Sequence, residues 1–127
     1  MLVQGDLVPH VELQTIDGTR FRYSDIWQHR NLVLIAIPGR HSASAERYAS
    51  DLTARVGEFA EQQTDCVITR DGVPGLPAPG VLVADRWGEI VYVSSAGDAA
   101  DLPPAEELVD WIAHVQTRCP ECEGEAK

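Results

Sequence analysis

Two cysteines near the end of the chain have the residue type and the spacing most suited to chemistry. Cys119 and Cys122 are separated by a proline and a glutamate, and such a pair can close a disulfide or supply metal ligands. Zinc needs four ligands, so a second pair would come from another copy, from a partner, or from His114 with one more group. The sequence leaves redox chemistry, a shared zinc ion and a tail without either role as alternatives.

A second group of polar residues follows the apolar run 31–37. It contains Pro38, Arg40, His41 and Ser42, and Ser42 is a good N-cap for a helix. Because helix N-termini attract anions, Arg40 and His41 are candidates for binding an anion, the alternative being solvated loop groups. A serine nucleophile with His41 as its base is disfavoured, because adjacent residues rarely reach the geometry needed.

The remaining histidines and the third cysteine carry weaker signals. His10, His29 and His114 are isolated in the sequence, which predicts ordinary surface or half-buried side chains. Cys66 lies in the apolar segment 65–69, which favours a buried thiol without chemistry.

The elements that position these residues follow from hydrophobic patterning. Alternation on both sides of Asp17-Gly18 predicts a hairpin over 11–23. The uninterrupted apolar run 31–37 predicts a central strand covered on both faces. Apolar residues at helical spacing then predict one helix over about 42–63, with the buried face Ala45, Tyr48, Ala49, Leu52, Val56 and Phe59.

The second half of the chain predicts a shorter set of elements. Residues 65–69 form a parallel strand, and the glycine- and proline-rich stretch 70–80 forms a loop. Residues 81–93 form a hairpin, and a last helix begins near Pro104, where prolines and then acids are favourable. The fold class is therefore α/β.

The loop after the central strand resembles a known active-site motif. Peroxiredoxins (the alkyl hydroperoxide reductase/thiol-specific antioxidant family) carry a proline, three residues, threonine or serine, two residues and a cysteine. The stretch 38–45 matches this pattern at Pro38 and Ser42 and has Ala45 at the peroxidatic cysteine position. The similarity covers roughly residues 3 to 116, including the opening residues Gly5-Asp6, Pro9, Asp17-Gly18-Thr19 and Ser24-Asp25 and the Asp-x-x-Gly turn that begins at Asp85.

This resemblance implies a thioredoxin-like fold with a central mixed sheet flanked by helices. The resemblance implies a compact peroxiredoxin-type variant, because peroxiredoxins have a long helical segment where this chain has the short loop 70–80. Pro79 occupies the position of the cis-proline of thioredoxin-fold proteins, which predicts a cis Ala78–Pro79 bond, with Pro77 as the rival. The expected organisation is a redoxin domain over 1–118 and a tail over 119–127.

For activity, the resemblance implies an oxidoreductase of the antioxidant type whose peroxide site, at Pro38, Ser42, Ala45 and Pro79, is vacated. A methyl group cannot act as the nucleophile, so peroxidase activity at Ala45 is excluded. A helix over 104–118 would put Cys119 about 22 Å from this site. Any redox work of the tail would therefore involve another molecule or a second subunit.

Composition limits the partners. The chain has 127 residues, three cysteines and a formal net charge of −10, so phosphate backbones and anionic lipid surfaces are poor partners. A protein partner or a homodimer remains open. With no long apolar run, no leader pattern and no disulfide framework, the expected location is the cytoplasm.

Two functions remain as expectations. The first is a redoxin without the peroxidatic cysteine that exchanges disulfides through Cys119 and Cys122. The alternative is a binding or assembly module without catalysis, in which these cysteines share a zinc ion across an interface. A proline after the first cysteine and a glycine soon after the second resemble the zinc knuckles of zinc ribbons and rubredoxins.

Overall fold

The fold is built on a four-stranded mixed sheet. The computed structural model describes residues 1–40 and 42–117. The strands are β1 (Glu12–Gln14), β2 (Arg20–Arg22), β3 (Asn31–Ala36), β4 (Thr64–Thr69), β5 (Gly80–Ala84) and β6 (Ile90–Ser95). The helices are α1 (Ala43–Thr53), α2 (Val56–Glu61) and α3 (Ala105–Thr117), with short 3₁₀ turns at Tyr23–Asp25 and Ala99–Asp101. The described chain contains no helix long and apolar enough to span a membrane.

The sheet has the order β4-β3-β5-β6, with β1 and β2 forming a separate hairpin. Strand β3 runs parallel to β4 and antiparallel to β5, and β5 and β6 are antiparallel. The predicted central strand, both hairpins and the mixed sheet are therefore confirmed.

Both faces of β3 are buried, as its uninterrupted apolar sequence requires. Val33 and Ile35 belong to a core with residues of α1, α2 and α3. Leu32 and Leu34 belong to a second core that the N-terminal hairpin and the loop before β5 complete. The three helices thus cover one face, and short irregular elements cover the other.

The predicted single helix over 42–63 is wrong in one respect, because the chain breaks between α1 and α2. Thr53 donates its hydroxyl proton to the carbonyl oxygen of Ala49, a bond that bends helices. Arg55 then leaves the helical conformation, at φ −109° and ψ 12°. The break turns Val56 out to solvent while Phe59 is fully buried.

The loop 70–80 contains no helix, and the Ala78–Pro79 bond is cis as expected. Strand β5 begins directly afterwards, and the carbonyl of Pro79 accepts a bond from the amide of Ala96 at 3.0 Å. Pro79 is thereby held next to the loop that follows β6.

The C-terminal end of α3 is fixed at the start of β3. Asn31, which is buried, donates from Nδ2 to Gln116 Oε1 at 2.7 Å and to the carbonyl of Gln62 at 3.2 Å. Helix α1 begins beyond the opposite end of β3, and six residues of strand span about 20 Å. The described chain therefore ends at the pole of the sheet opposite to the start of α1.

Gly80 offers a stability test of this arrangement. A Cβ at Gly80 would overlap the carbonyl oxygen of Pro77 and lie 2.9 Å from Leu76 Cδ1. We expect Gly80→Ala to lower the free energy of unfolding by about 1–3 kcal/mol in urea titrations. The control is Gly57→Ala in α2, where nothing lies within 4 Å and a gain of about 0.5–1 kcal/mol is expected. Equal effects of the two substitutions would contradict the packing described.

Candidate functional site

The candidate site begins where β3 ends and α1 starts. Ser42 has extended backbone angles, and its hydroxyl oxygen accepts a bond from the amide of Ala45 at 3.3 Å. The same oxygen lies 3.1 Å from the hydroxyl of Ser44. Ser42 thus caps α1, as its position in the sequence predicts. His41 lies outside the described residues.

Three segments of the chain surround a cleft of about 260 Å³ at this point. The loop after β3, the loop around the cis bond and the loop after β6 contribute its walls. The lining residues are Pro38, Arg40, Ser42, Ala78, Pro79, Gly97, Asp98 and Ala99. The structure therefore brings together four residues that the sequence singled out, namely Pro38, Arg40, Ser42 and Pro79.

Ala45 is the third residue of α1 and does not line this cleft. Only 1% of its surface is exposed, and its methyl group belongs to the core that also contains Val33 and Ile35. The position that the resemblance assigns to a reactive sulfur is thus filled by a packed methyl group.

Two residues near the site were not identified from the sequence. Arg70 donates from Nη1 to the carbonyl oxygen of Pro38 at 3.2 Å. A signal for it existed, because Arg70 directly follows β4, and the ends of neighbouring parallel strands meet at one edge of a sheet.

Asp98 is the other missed residue. It accepts a bond from the amide of Ala100 at 2.8 Å and caps the 3₁₀ turn that begins at Ala99. This backbone bond and a bond from the Ser44 side chain hold the pKa of Asp98 below its usual value. The cleft thus presents a carboxylate as well as the Arg40 guanidinium, and an anion bound there would meet both charges. No sequence pattern placed Asp98 opposite Ser42.

Cys66 lies in the middle of β4 and does not line the cleft. Burial, with a smaller contribution from the Asp65 carboxylate, raises the pKa of Cys66 to about 12. The side chain is therefore a neutral thiol at physiological pH, and thiols in this form are poor nucleophiles. By accessible surface Cys66 is half-buried against the core rather than buried as expected, and its raised pKa supports the expectation of a thiol without chemistry.

The other candidates are distributed as follows. His10, His29 and His114 are exposed; His10 packs against Tyr23 and Trp27 with ring centroids 5.3 and 5.1 Å apart. Within residues 1–40 and 42–117, no three histidine, cysteine or acidic side chains are grouped as a metal site. Cys119 and Cys122 lie outside the described residues.

Sequence comparisons identify no relative, since no protein-family model and no curated protein match the chain. Solved structures do match. The 2-Cys peroxiredoxin of Plasmodium vivax is 10% identical, with 90% of this chain and 82% of that chain covered and a TM-score of 0.75. AhpC of Enterococcus faecalis is 15% identical, with 94% and 100% covered and a TM-score of 0.72.

Peroxidoxin BcpB of Mycobacterium tuberculosis is 17% identical, with 90% of this chain and 96% of that chain covered and a TM-score of 0.62. Identities this low show the fold alone. The chain has the thioredoxin-like fold of peroxiredoxins, and the fold expected from the motif is confirmed.

The state of the Cys66 thiol can be measured through stability at alkaline pH. The folded chain keeps this proton up to about pH 12, whereas an unperturbed thiol loses it near 9.0. Raising the pH above 9 therefore favours the unfolded chain, at a limiting slope of about 1.4 kcal/mol per pH unit. We expect the free energy of unfolding to fall more steeply above pH 9 in the native sequence than in Cys66→Ala. Urea titrations across this range that gave parallel profiles would contradict the assignment.

Proposed function

We propose that this chain is a redoxin with the peroxiredoxin fold that lacks peroxidase activity at the start of α1 and exchanges disulfides through Cys119 and Cys122. The observation that carries the proposal is the buried methyl group of Ala45 at the position of the peroxidatic sulfur. Around the start of α1, Ser42 and the cis-proline Pro79 line one cleft.

Peroxide reduction requires a thiolate that attacks an oxygen atom of the peroxide. Ala45 supplies no sulfur, and the raised pKa of Cys66 keeps that thiol protonated. Ser42 and Arg40 can bind or polarise a ligand, but neither can be oxidised reversibly. These properties support the absence of peroxidase chemistry in the cleft.

Disulfide exchange by the tail is balanced in two steps. The thiolate of one tail cysteine attacks a disulfide of a partner protein, forming a mixed disulfide and releasing one partner thiolate, which takes up a proton. The second tail cysteine then attacks the first, releasing the other partner thiol and closing the Cys119–Cys122 disulfide. Two electrons and two protons pass to the partner, and a dithiol reductant restores the tail.

The exchange partner is another molecule or the second subunit of a homodimer. Gln116 is bonded to the first residue of β3, whereas Ser42 lies beyond the last. The described chain therefore ends at Thr117, at the end of the sheet away from the cleft. This supports chemistry that is independent of the residues around Ala45.

The alternative is an assembly module in which Cys119 and Cys122 bind a zinc ion together with the same pair from a second copy. Two sequence features favour this zinc role: Pro120 directly follows the first cysteine, and Gly124 lies two residues after the second. Two thiolates from each chain complete a tetrahedral site, so the expected content is about half a zinc ion per chain.

The exchange proposal predicts a reversible disulfide in the tail. After reduction and mild oxidation of the purified full chain, peptide mapping should find Cys119 joined to Cys122, and the chain should reduce a model protein disulfide. Cys119→Ser with Cys122→Ser should abolish this activity, because no other thiol is reactive. The matched control, Cys66→Ser, should retain it.

Two results would overturn the exchange proposal. The first is activity that the double substitution leaves unchanged. The second is about half a zinc ion per chain that is lost together with dimerisation in Cys122→Ser, which would establish the assembly role instead.

A further inference from the structure

A second cavity of the described chain lies away from the cleft, at the other end of α1. It has a volume of about 500 Å³, within the usual range of small-molecule sites. Three elements enclose it: the turn of the first hairpin, the break between α1 and α2, and the outer strand β4. Its lining residues are Thr15, Ile16, Asp17, Thr19, Leu52, Thr53, Val56, Cys66 and Ile68.

Two exposed apolar side chains belong to the lining of this cavity. Val56 is 53% exposed because the helix breaks before it, and Ile16 is 42% exposed on the hairpin turn. The turn is held against the sheet, since the amide of Ile16 donates to the carbonyl of Ile68 at 2.9 Å. A ligand that covered these side chains would remove apolar surface from water, which is favourable.

The inner wall contains no charged group. Leu52 and Ile68 are buried hydrophobic residues, and Cys66 is a neutral thiol. The Thr53 hydroxyl is used in its bond to the carbonyl of Ala49. The wall therefore suits an alkyl chain and offers little to a polar ligand.

The one charged residue of the lining is Asp17. Its carboxylate accepts bonds from the hydroxyl of Thr15 and the amide of Thr19, and these hold the pKa of Asp17 below its usual value. The negative charge is fully exposed and is part of a chain with a net charge of −10. A cationic head group is therefore favoured over an anionic one.

We propose that this cavity binds a small amphiphile with an alkyl body and a cationic head. The alkyl chain packs against Ile16, Val56 and Ile68, and the head group lies beside Asp17. The eleven residues of α1 separate this site from the Ser42 cleft by about 16 Å, so binding here does not depend on the chemistry of the tail.

The test uses n-hexylammonium as the probe, with hexanoate and hexanol as its anionic and neutral counterparts. Binding to the full chain is followed by NMR shifts of the Ile16, Val56 and Ile68 methyl groups. We expect saturable shifts with hexylammonium, weaker ones with hexanol and the weakest with hexanoate.

Two variants identify the contacts. Val56→Ser should weaken hexylammonium binding about threefold or more, because the alkyl chain loses its contact with Val56. The matched control Val3→Ser removes an equally exposed valine, 55% accessible, from outside the cavity and should have no effect. Asp17→Asn should reduce binding of hexylammonium about two- to fivefold and leave hexanol unchanged, as expected for an exposed ion pair.

The proposal is overturned if no probe gives saturable shifts at the cavity residues. It is equally overturned if hexanoate binds as tightly as hexylammonium, or if Val56→Ser and Val3→Ser behave alike.

Discussion

The burial of β3 on both faces is the constraint on which the rest of the structure depends. Every residue of this strand is buried, so its backbone bonds are completed by β4 on one side and β5 on the other. Its two faces need separate covers, and the helices supply one while the N-terminal hairpin supplies the other. Because both faces and both edges of β3 are covered, only its ends are open to other groups. The candidate site lies at its C-terminal end.

Features that depend on local sequence patterns could be predicted, whereas features that depend on tertiary packing could not. The uninterrupted run 31–37 identified the central strand, and Asp17-Gly18 identified a hairpin, because both signals are local. The break between α1 and α2 could not be predicted, since Val56 and Phe59 continue the helical spacing of Leu52. The tertiary structure shows that the break leaves Val56 in solvent while Phe59 stays in the core. Asp98 reaches the site through tertiary contacts that no local pattern records.

An alanine at residue 45 is compatible with the peroxiredoxin fold around it. Ser42 caps α1, and Pro79 follows a cis bond and is bonded to Ala96 in the loop after β6. These features serve the fold as well as a site, because a helix needs its first amides satisfied whether or not a thiolate is present. A buried alanine at residue 45 packs well, so the scaffold can persist without the chemistry. The one thiol of residues 1–40 and 42–117 is Cys66, and its raised pKa makes it unsuited to sulfur chemistry.

The most direct test of this account is the consumption of hydrogen peroxide by the purified, reduced chain under turnover with a dithiol reductant. We expect no turnover beyond the slow oxidation of ordinary thiols, and no loss of any residual rate in Ser42→Ala. Turnover at the rate of peroxiredoxins that persisted in Cys119→Ser with Cys122→Ser would contradict it, because the described domain would then hold a peroxidatic group that Ala45 cannot supply.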